Sequence, residues 1–274
     1  MEVYTIDKKI VEICEIPLKS GGEGAIYELV SVPSLVAKIY HDISEAQKRE
    51  EKILAMIKIG NSKEFHLAHI GNDIAWPLFP LYNSNYEFIG FLMQKISTRY
   101  ELDDLYVYPP NKNTNITIKN RIDTLISLCD TIDRLHSIGQ IFGDFNPDNI
   151  KIKDDLTVAF VDADSYHIFG SEKLYKCTVC APGYVAPELV KACKGTTYAD
   201  FTGTTFTVET DYFGLALHCF QMLMNGCHPF AWQRYIKQAG SVPAPKNLDL
   251  RVADGQTPFL KISVNILFLI LHRI

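Results

Sequence analysis

The hydrophobic period of this 274-residue chain changes once, near Ile96, and that single change limits the folds open to it. Before it, short β-rich runs separated by turns ("VEICEIPL", "AIYELV", "LVAKIYH", "EFIGFLMQKI") read as strands of one antiparallel sheet. Between the third and fourth lies "SEAQKREEKILAMIKIG", with Ser44 as cap candidate, strong helix formers and a closing Gly60, so one helix interrupts the sheet. After Ile96, "TIKNRIDTLISLCDTIDRLHSIG" sets Ile122, Leu125, Ile126, Leu128, Ile132 and Leu135 at helical spacing and ends at Gly139. A later run, "TDYFGLALHCFQMLMNG", reads as a buried helix ending at Gly226. The expectation is an α+β chain in which a small strand-rich lobe precedes a helical one.

A hydrophobic content of 47% permits a substantial core, and a formal charge of -5 gives no electrostatic reason to expect nucleic acid as the main partner. The N-terminal "MEVYTIDKKIVEICEI" lacks the order of a signal peptide, and no run of about 20 apolar residues is long enough to span a membrane. The chain reads as cytosolic, in keeping with seven cysteines that show no disulfide framework. Cys177 and Cys180 form one CxxC without a second pair at ribbon spacing, and read as two loop thiols rather than zinc ligands.

Three stretches carry chemistry. Gly21, Gly22 and Gly24 fall between two candidate strands, where their backbone can approach a phosphate, although glycines between strands also make ordinary hairpins. Lys38 sits inside the apolar strand "LVAKIYH", on the face it shares with Val36 and Tyr40, and a buried ammonium needs an anion. Glu50 and Glu51 are candidates; Glu50, with Leu54 one turn on, is favoured. In "GDFNPDN" an Asp precedes an Asn by five residues, and thirteen residues after that Asn149 comes Asp162 in "FVDADS".

Taken together these segments resemble a eukaryotic-type protein kinase domain from about Ile16 to Phe230, most of all the divergent bacterial kinases sometimes joined to helix-hairpin-helix domains. "GGEGAIY" is similar to the glycine-rich loop, "VAK" to the strand of the ATP lysine, "GDFNPDN" to the catalytic loop, and "VDAD" to the magnesium motif. "APE" at Ala186–Glu188 is similar to the end of the activation segment, and "TDYFGLA" to the helix whose Asp braces the catalytic loop. The resemblance implies a bilobal fold with an N-lobe over 1–93, a hinge over 94–96 and a C-lobe over 97–274. It implies ATP with magnesium or manganese as cofactors, and a protein substrate phosphorylated on Ser or Thr. Asp144 would orient the attacking hydroxyl, Asn149 and Asp162 would hold the metal, and Lys38, paired with Glu50, would clamp the phosphates. Met93 would be the gatekeeper, the backbone of Gln94 to Ile96 the edge that meets the base, Ile26 and Ala37 its packing, and Glu101 the ribose contact.

The chain also departs from the family. Phe142 and Gly143 stand in place of the usual His-Arg, Asn146 in place of the usual Lys, and Ala181 in place of a hydroxyl residue. These losses imply that switching by activation-loop phosphorylation is absent and that turnover is slow, and they keep a pseudokinase or nucleotide-responsive scaffold as the rival reading. A small-molecule kinase is disfavoured by "APE" and "DYFG". Ala163 and Asp164 replace Phe-Gly after the metal Asp: Asp164 adds a second carboxylate, and Phe142 is expected to have exchanged bulk with Ala163. Glu188 pairs in the family with a late Arg, for which Arg251, Arg273 or neither serves here.

Overall fold

The computed structural model describes residues 2–106, 115–181, 183–192 and 205–230. The first part is a seven-stranded antiparallel sheet made from β1 (Glu2–Tyr4), β2 (Ile10–Glu12), β3 (Lys19–Ser20), β4 (Gly24–Glu28), β5 (Leu35–Tyr40), β6 (Pro77–Tyr82) and β7 (Phe88–Gln94), in the order β2-β1-β6-β7-β5-β4-β3. Alternation along β5 divides its side chains between two apolar layers, Val36 and Tyr40 toward α1 and the main core, Ala37 toward the opposite face with Val3, Leu81 and Leu92. Strand β6 breaks the alternation where its register against β7 shifts, between Pro77 and Phe79 and between Leu81 and Tyr82, and its Pro77 and Pro80 lack an N–H. It pairs along its length with β7, and β1 meets it only at Tyr4 opposite Tyr82, so the prolines face no ladder on that side.

Helix α1 (Ile43–Gly60) packs on this sheet through Ala46, Ile53 and Met56. Its cap is Asp42, which accepts from the N–H groups of Ser44 and Glu45, so Ser44 lies inside the first turn and is not the cap. A short α2 (Lys63–Leu67) follows, and after β7 come β8 (Tyr100–Glu101) and α3 (Ile118–Ser137). Leu125, Leu128, Ile132 and Leu135 form the buried stripe of α3, whereas Ile122 and Ile126 lie outside it and are exposed. Strands β9 (Ile150–Ile152) and β10 (Val158–Phe160) join β8 in a three-stranded sheet, and β11 (Ile168–Phe169) and β12 (Leu174–Tyr175) form a hairpin. Helices α4 (Pro187–Ala192) and α5 (Val208–Leu223) complete the described part; α5 is almost wholly buried, as its unbroken apolar run requires.

The result is bilobal: a curled sheet with one helix, then a mainly helical part, with the cleft between them. No helix among the described residues is long and apolar enough to cross a membrane. The C-terminal apolar run and the candidate Glu188 partners Arg251 and Arg273 lie outside the described residues.

Candidate active site

A cavity of about 610 Å³ opens between the two parts. Gly21, Gly22, Gly24 and Ile26 cover it, Met93, Gln94 and Ile96 edge it, Lys38, Asn149 and Asp162 line its inner end, and Glu101 lies on its wall. Three expected residues do not line it: Asp144, which is joined to it through Asn149 Nδ2 at 3.0 Å, Ala37 and Glu50. Ala37 is on the far face of β5 in the second apolar layer, and Val36, which alternation places beside Lys38, lines the cavity instead. Glu50 also lies elsewhere: it accepts from the Tyr82 hydroxyl at 3.2 Å, while Glu51 pairs with Lys173 on the surface.

The cause is the rotation of α1. Glu50 lies on the side of the helix toward β6, whereas the cleft side carries two cations, Arg49 and Lys52. Leu54, taken as the mark of a core-facing turn, is 40% exposed. Lys38 finds its anions in the segment after β10: Nζ donates to Asp162 at 2.6 Å and to both oxygens of Asp164 at 2.6 and 2.8 Å. Burial alone would push the Lys38 ammonium down, but the Asp164 and Asp162 carboxylates outweigh it and hold its pKa above the usual lysine value. Burial likewise pushes Asp164 up, and Lys38, helped by the Tyr40 hydroxyl at 2.7 Å, brings it well below the usual carboxylate range. Asp164 is thus an internal anchor for Lys38, accepting a hydrogen bond on each of its oxygens.

Lys52 ties α1 to the same segment, donating to the Asp164 and Tyr166 carbonyls at 2.6 Å each. Burial lowers its pKa to about 8. Arg49 reaches forward to Glu23 in the glycine loop at 2.6 Å. Gly24 has a structural as well as a functional reason to be glycine: a Cβ there would come within 2.5 Å of the Ile39 carbonyl across the ladder.

In the loop between α3 and β9, Asp211 of α5 accepts from the backbone N–H groups of Phe142 at 2.8 Å and Gly143 at 2.9 Å, and lies 2.8 Å from His136 Nε2. Gly143 takes φ +80, with the Cys177 side chain 3.1 Å from where its Cβ would be. The position that usually carries an Arg here needs a glycine. Gly143→Arg is therefore expected to lower the melting temperature rather than to restore a phosphate-responsive loop; thermal unfolding of the variant checks this.

Asp144 accepts from Ala181 N–H at 2.9 Å, Asn146 N–H at 3.2 Å and Asn149 Nδ2 at 3.0 Å. The Ala181 backbone thereby supplies a donor to Asp144 although its side chain has no hydroxyl. Burial raises the Asp144 pKa to about 6 against these hydrogen bonds. Because Asn149 donates through Nδ2, its Oδ1 remains for a cation. Asp162, in the left-handed region at φ 59, presents a partly exposed carboxylate nearby. Burial and the Asp164 charge raise its pKa. These hard oxygen donors suit a divalent cation such as magnesium or manganese. Cys177 and Cys180 are free thiols.

Phe142 is fully buried, with ring centroids 4.8 Å from Phe145, 4.7 Å from Phe160 and 4.9 Å from Tyr166. Ala163 is buried in the same cluster. The bulk set against Phe142 therefore comes from Tyr166, itself 6.5 Å from Trp76, a contribution the expected Phe142–Ala163 exchange did not include. Sequence reasoning passed over Lys52 and Lys151, which no sequence signal marks, and gave Tyr40, placed by alternation on the face of Lys38, no role of its own.

A curled sheet with one helix over a helical part, with this lysine, aspartate and asparagine in the cleft between them, defines the protein-kinase class of fold. No family model matches the chain. It is 30% identical over 229 residues to the protein kinase YegI of Escherichia coli, in strains O157:H7 and K12, across 82% of this chain and 33% of the relative. The chain thus spans about a third of the length of those relatives. It is 33% identical over 98 residues to a probable myosin light chain kinase of Dictyostelium discoideum, across 35% of this chain and 29% of that protein. Among solved structures, the ROP18 kinase domain in complex with AMP-PNP and sucrose matches with a TM-score of 0.53 at 14% identity, over 81% of this chain and 66% of that one. The chain belongs to the eukaryotic-type (Hanks-type) protein kinase family, as a divergent member similar to bacterial kinases.

Proposed function

We propose that the domain transfers the γ-phosphate of ATP, with magnesium or manganese, to Ser or Thr of a protein. The observation that carries this reading is the convergence of Lys38, Asn149 and Asp162 at one end of a cavity roofed by the glycine loop, with Asp144 hydrogen-bonded to Asn149. Asp144 orients the acceptor hydroxyl and takes its proton, and its raised pKa suits a group that must receive one. Asp162 and Asn149 Oδ1 would hold the cation, which supplies charge neutralisation on the phosphates. Lys38, already charged and pointing at the same end, clamps the phosphates, while Asp164 holds it in place. Asp211 fixes the loop through two backbone N–H groups, so the base is presented on a rigid frame. At the hinge, Lys95 N–H is committed to the Ser34 carbonyl at 2.8 Å, which leaves the Gln94 and Ile96 peptides to meet the base. "APE" and the Asp211 brace favour a protein acceptor over a small molecule. Within the activation segment Thr178 is exposed, whereas the Tyr184 hydroxyl donates to Gln221 at 2.9 Å, so Thr178 is the better site of self-modification.

The scaffold reading keeps one supporting observation. Asp144 is met by three donors, and Lys38 occupies one oxygen of the metal carboxylate Asp162. Intact mass after incubation with ATP and magnesium or manganese separates the two readings. Phosphate added to the wild-type chain and absent from Asp162→Asn supports the kinase; an unmodified chain, together with no transfer to a general protein acceptor, overturns it.

A further inference from the structure

The CxxC of the sequence has no part in the chemistry described above, yet the fold sets it against the proposed base. Between its two cysteines Thr178 and Val179 are exposed, whereas Cys177 is fully buried and Cys180 partly so. Both thiols meet one residue. Cys177 Sγ lies 3.1 Å from where a Gly143 Cβ would stand, and Cys180 Sγ donates to the Gly143 carbonyl at 3.6 Å. Gly143 immediately precedes Asp144, and Ala181, which follows Cys180, donates its N–H to the Asp144 carboxylate at 2.9 Å. The dithiol thus touches the residue before the base and adjoins the residue that donates to it.

The two cysteines are held unequally. Cys177 N–H donates to His167 Nδ1 at 3.2 Å, its Sγ to the Val179 carbonyl at 3.0 Å, and its side chain lies in an apolar cluster with Ile141 and Phe206. Cys180 is held at its sulfur by the hydrogen bond to Gly143, and a thiol is a weak donor. The thiols are also neighbours of each other: the Cys177 thiol, ahead of burial, holds the Cys180 pKa above its usual value. A thiol kept protonated in this way reacts slowly, so the pair withstands mild oxidants and answers strong ones. For a disulfide to form, the sulfurs must come to about 2.05 Å, and Cys180 is the end that gives. Its sulfur leaves the Gly143 carbonyl, Ala181 is drawn along, and the N–H that meets Asp144 shifts with it.

We propose that Cys177 and Cys180 form an oxidation site, a reversible disulfide whose closure slows phosphate transfer by displacing the Ala181 donor from Asp144. The oxidant is a peroxide. The Cys180 sulfur, which is partly exposed, attacks one oxygen of hydrogen peroxide and becomes a sulfenic acid as water leaves; the Cys177 sulfur then displaces the hydroxyl group as a second water. Two thiols have given up two protons and two electrons, and one S–S bond joins them. A dithiol reductant reverses the step by exchange. The effect on transfer rests on the kinase reading given above, whereas the disulfide itself does not.

The test treats the whole chain with excess hydrogen peroxide or with dithiothreitol and reads two quantities. One is the mass of the tryptic peptide 177–191, which begins after Lys176, ends at Lys191 and holds both cysteines. The other is phosphate transfer to a general protein acceptor with ATP and magnesium. Peroxide is expected to leave the peptide lighter by two hydrogens and to slow transfer roughly tenfold, as befits the loss of a hydrogen bond to a charged group, and dithiothreitol should restore both. Cys180→Ser, whose hydroxyl can still donate to the Gly143 carbonyl, should keep the reduced rate within about threefold and become indifferent to peroxide. If that variant does not fold, Cys177→Ala gives the same comparison. A peptide that stays reduced in excess peroxide, or a disulfide that leaves transfer unchanged, overturns the proposal. So does an equal loss of transfer in oxidised Cys180→Ser, which would place the sensitive thiol elsewhere. A reduced chain that transfers no phosphate overturns the proposed function and the control of transfer with it, while the peptide mass still decides the disulfide.

Discussion

Asp164→Ala is expected to lower ATP turnover roughly a hundredfold or more, whereas Glu50→Gln should leave turnover within about twofold of wild type. The contrast follows from where the acid beside the clamp lysine comes from. Asp164 is 1% exposed and accepts from Lys38 twice and from Tyr40 once, with Arg49 at 3.8 Å. Its removal leaves the Tyr40 hydroxyl without that acceptor and gives Lys38 only Asp162, the group proposed to hold the metal. Lys38 and the cation would then compete for one carboxylate, and the clamp and the metal site would fail together. Breaking a buried pair by deleting one partner costs about 3–5 kcal/mol, so a lower melting temperature is expected as well. Glu50 touches neither group; it accepts from the Tyr82 hydroxyl of β6. Steady-state kinetics with nucleotide affinities for the two variants decides the matter. A crippled Glu50→Gln beside an active Asp164→Ala would show that α1 rotates to bring its glutamate to Lys38 during turnover.

The anchoring has a consequence for regulation. Where a lysine depends on a glutamate from a mobile helix, moving the helix disconnects the clamp. Here the acid lies two residues from Asp162, and α1 is fastened to the same segment by Lys52 through two backbone carbonyls. Position of α1 and charge of Lys38 are held by separate contacts. With Gly143 where an Arg would receive a phosphate, the described residues provide neither of those two levers.

What the sequence disclosed follows the range of the interactions involved. Change of period announced the two-part architecture because apolar patterning is local and repeated: the β4, β5 and β7 strands, α1, α3 and α5 all emerge from it. Strand β6 stayed hidden since its two prolines argue against a strand, and only its place beside β1 at a single residue makes them tolerable. Ala37 was misplaced although alternation already set Val36 beside Lys38; the motif spacing was preferred to the pleat, and the pleat is the physical constraint. Glu50 failed for a subtler reason. Glu50, Ile53 and Ile57 share one flank of α1 and Arg49, Lys52 and Met56 the next, so a turn of the helix by about 100° decides which reaches the cleft. Nothing in the segment itself sets that rotation. It depends on the long-range contacts of Lys52 with residues more than a hundred positions away. Lys151 and Glu101 were separated by fifty positions, and only the β8–β9 register joins them.

Phe142→Ala is expected to destabilise the domain by about 3–5 kcal/mol, a fall in melting temperature of roughly 10 °C. The side chain is completely buried, and three aromatic rings lie with centroids within 4.9 Å of its own. Those rings belong to the loop between α3 and β9, to β10 just before Asp162, and to the segment just after it. Phe142 is therefore the residue through which the two halves of the chemistry are packed together, while its own N–H is held by Asp211. The cavity left by truncation cannot be filled by Ala163, which carries one methyl group, and Tyr166 is fixed on its other side against Trp76. Tyr166 swinging into the gap would drag the carbonyl that accepts from Lys52, so collapse of the cavity would also loosen α1. Nucleotide affinity should fall along with stability, because Asp162 and Asp144 lose their common support. A melting temperature and an ATP affinity both equal to wild type would show instead that Phe142 only fills space at the edge of the column.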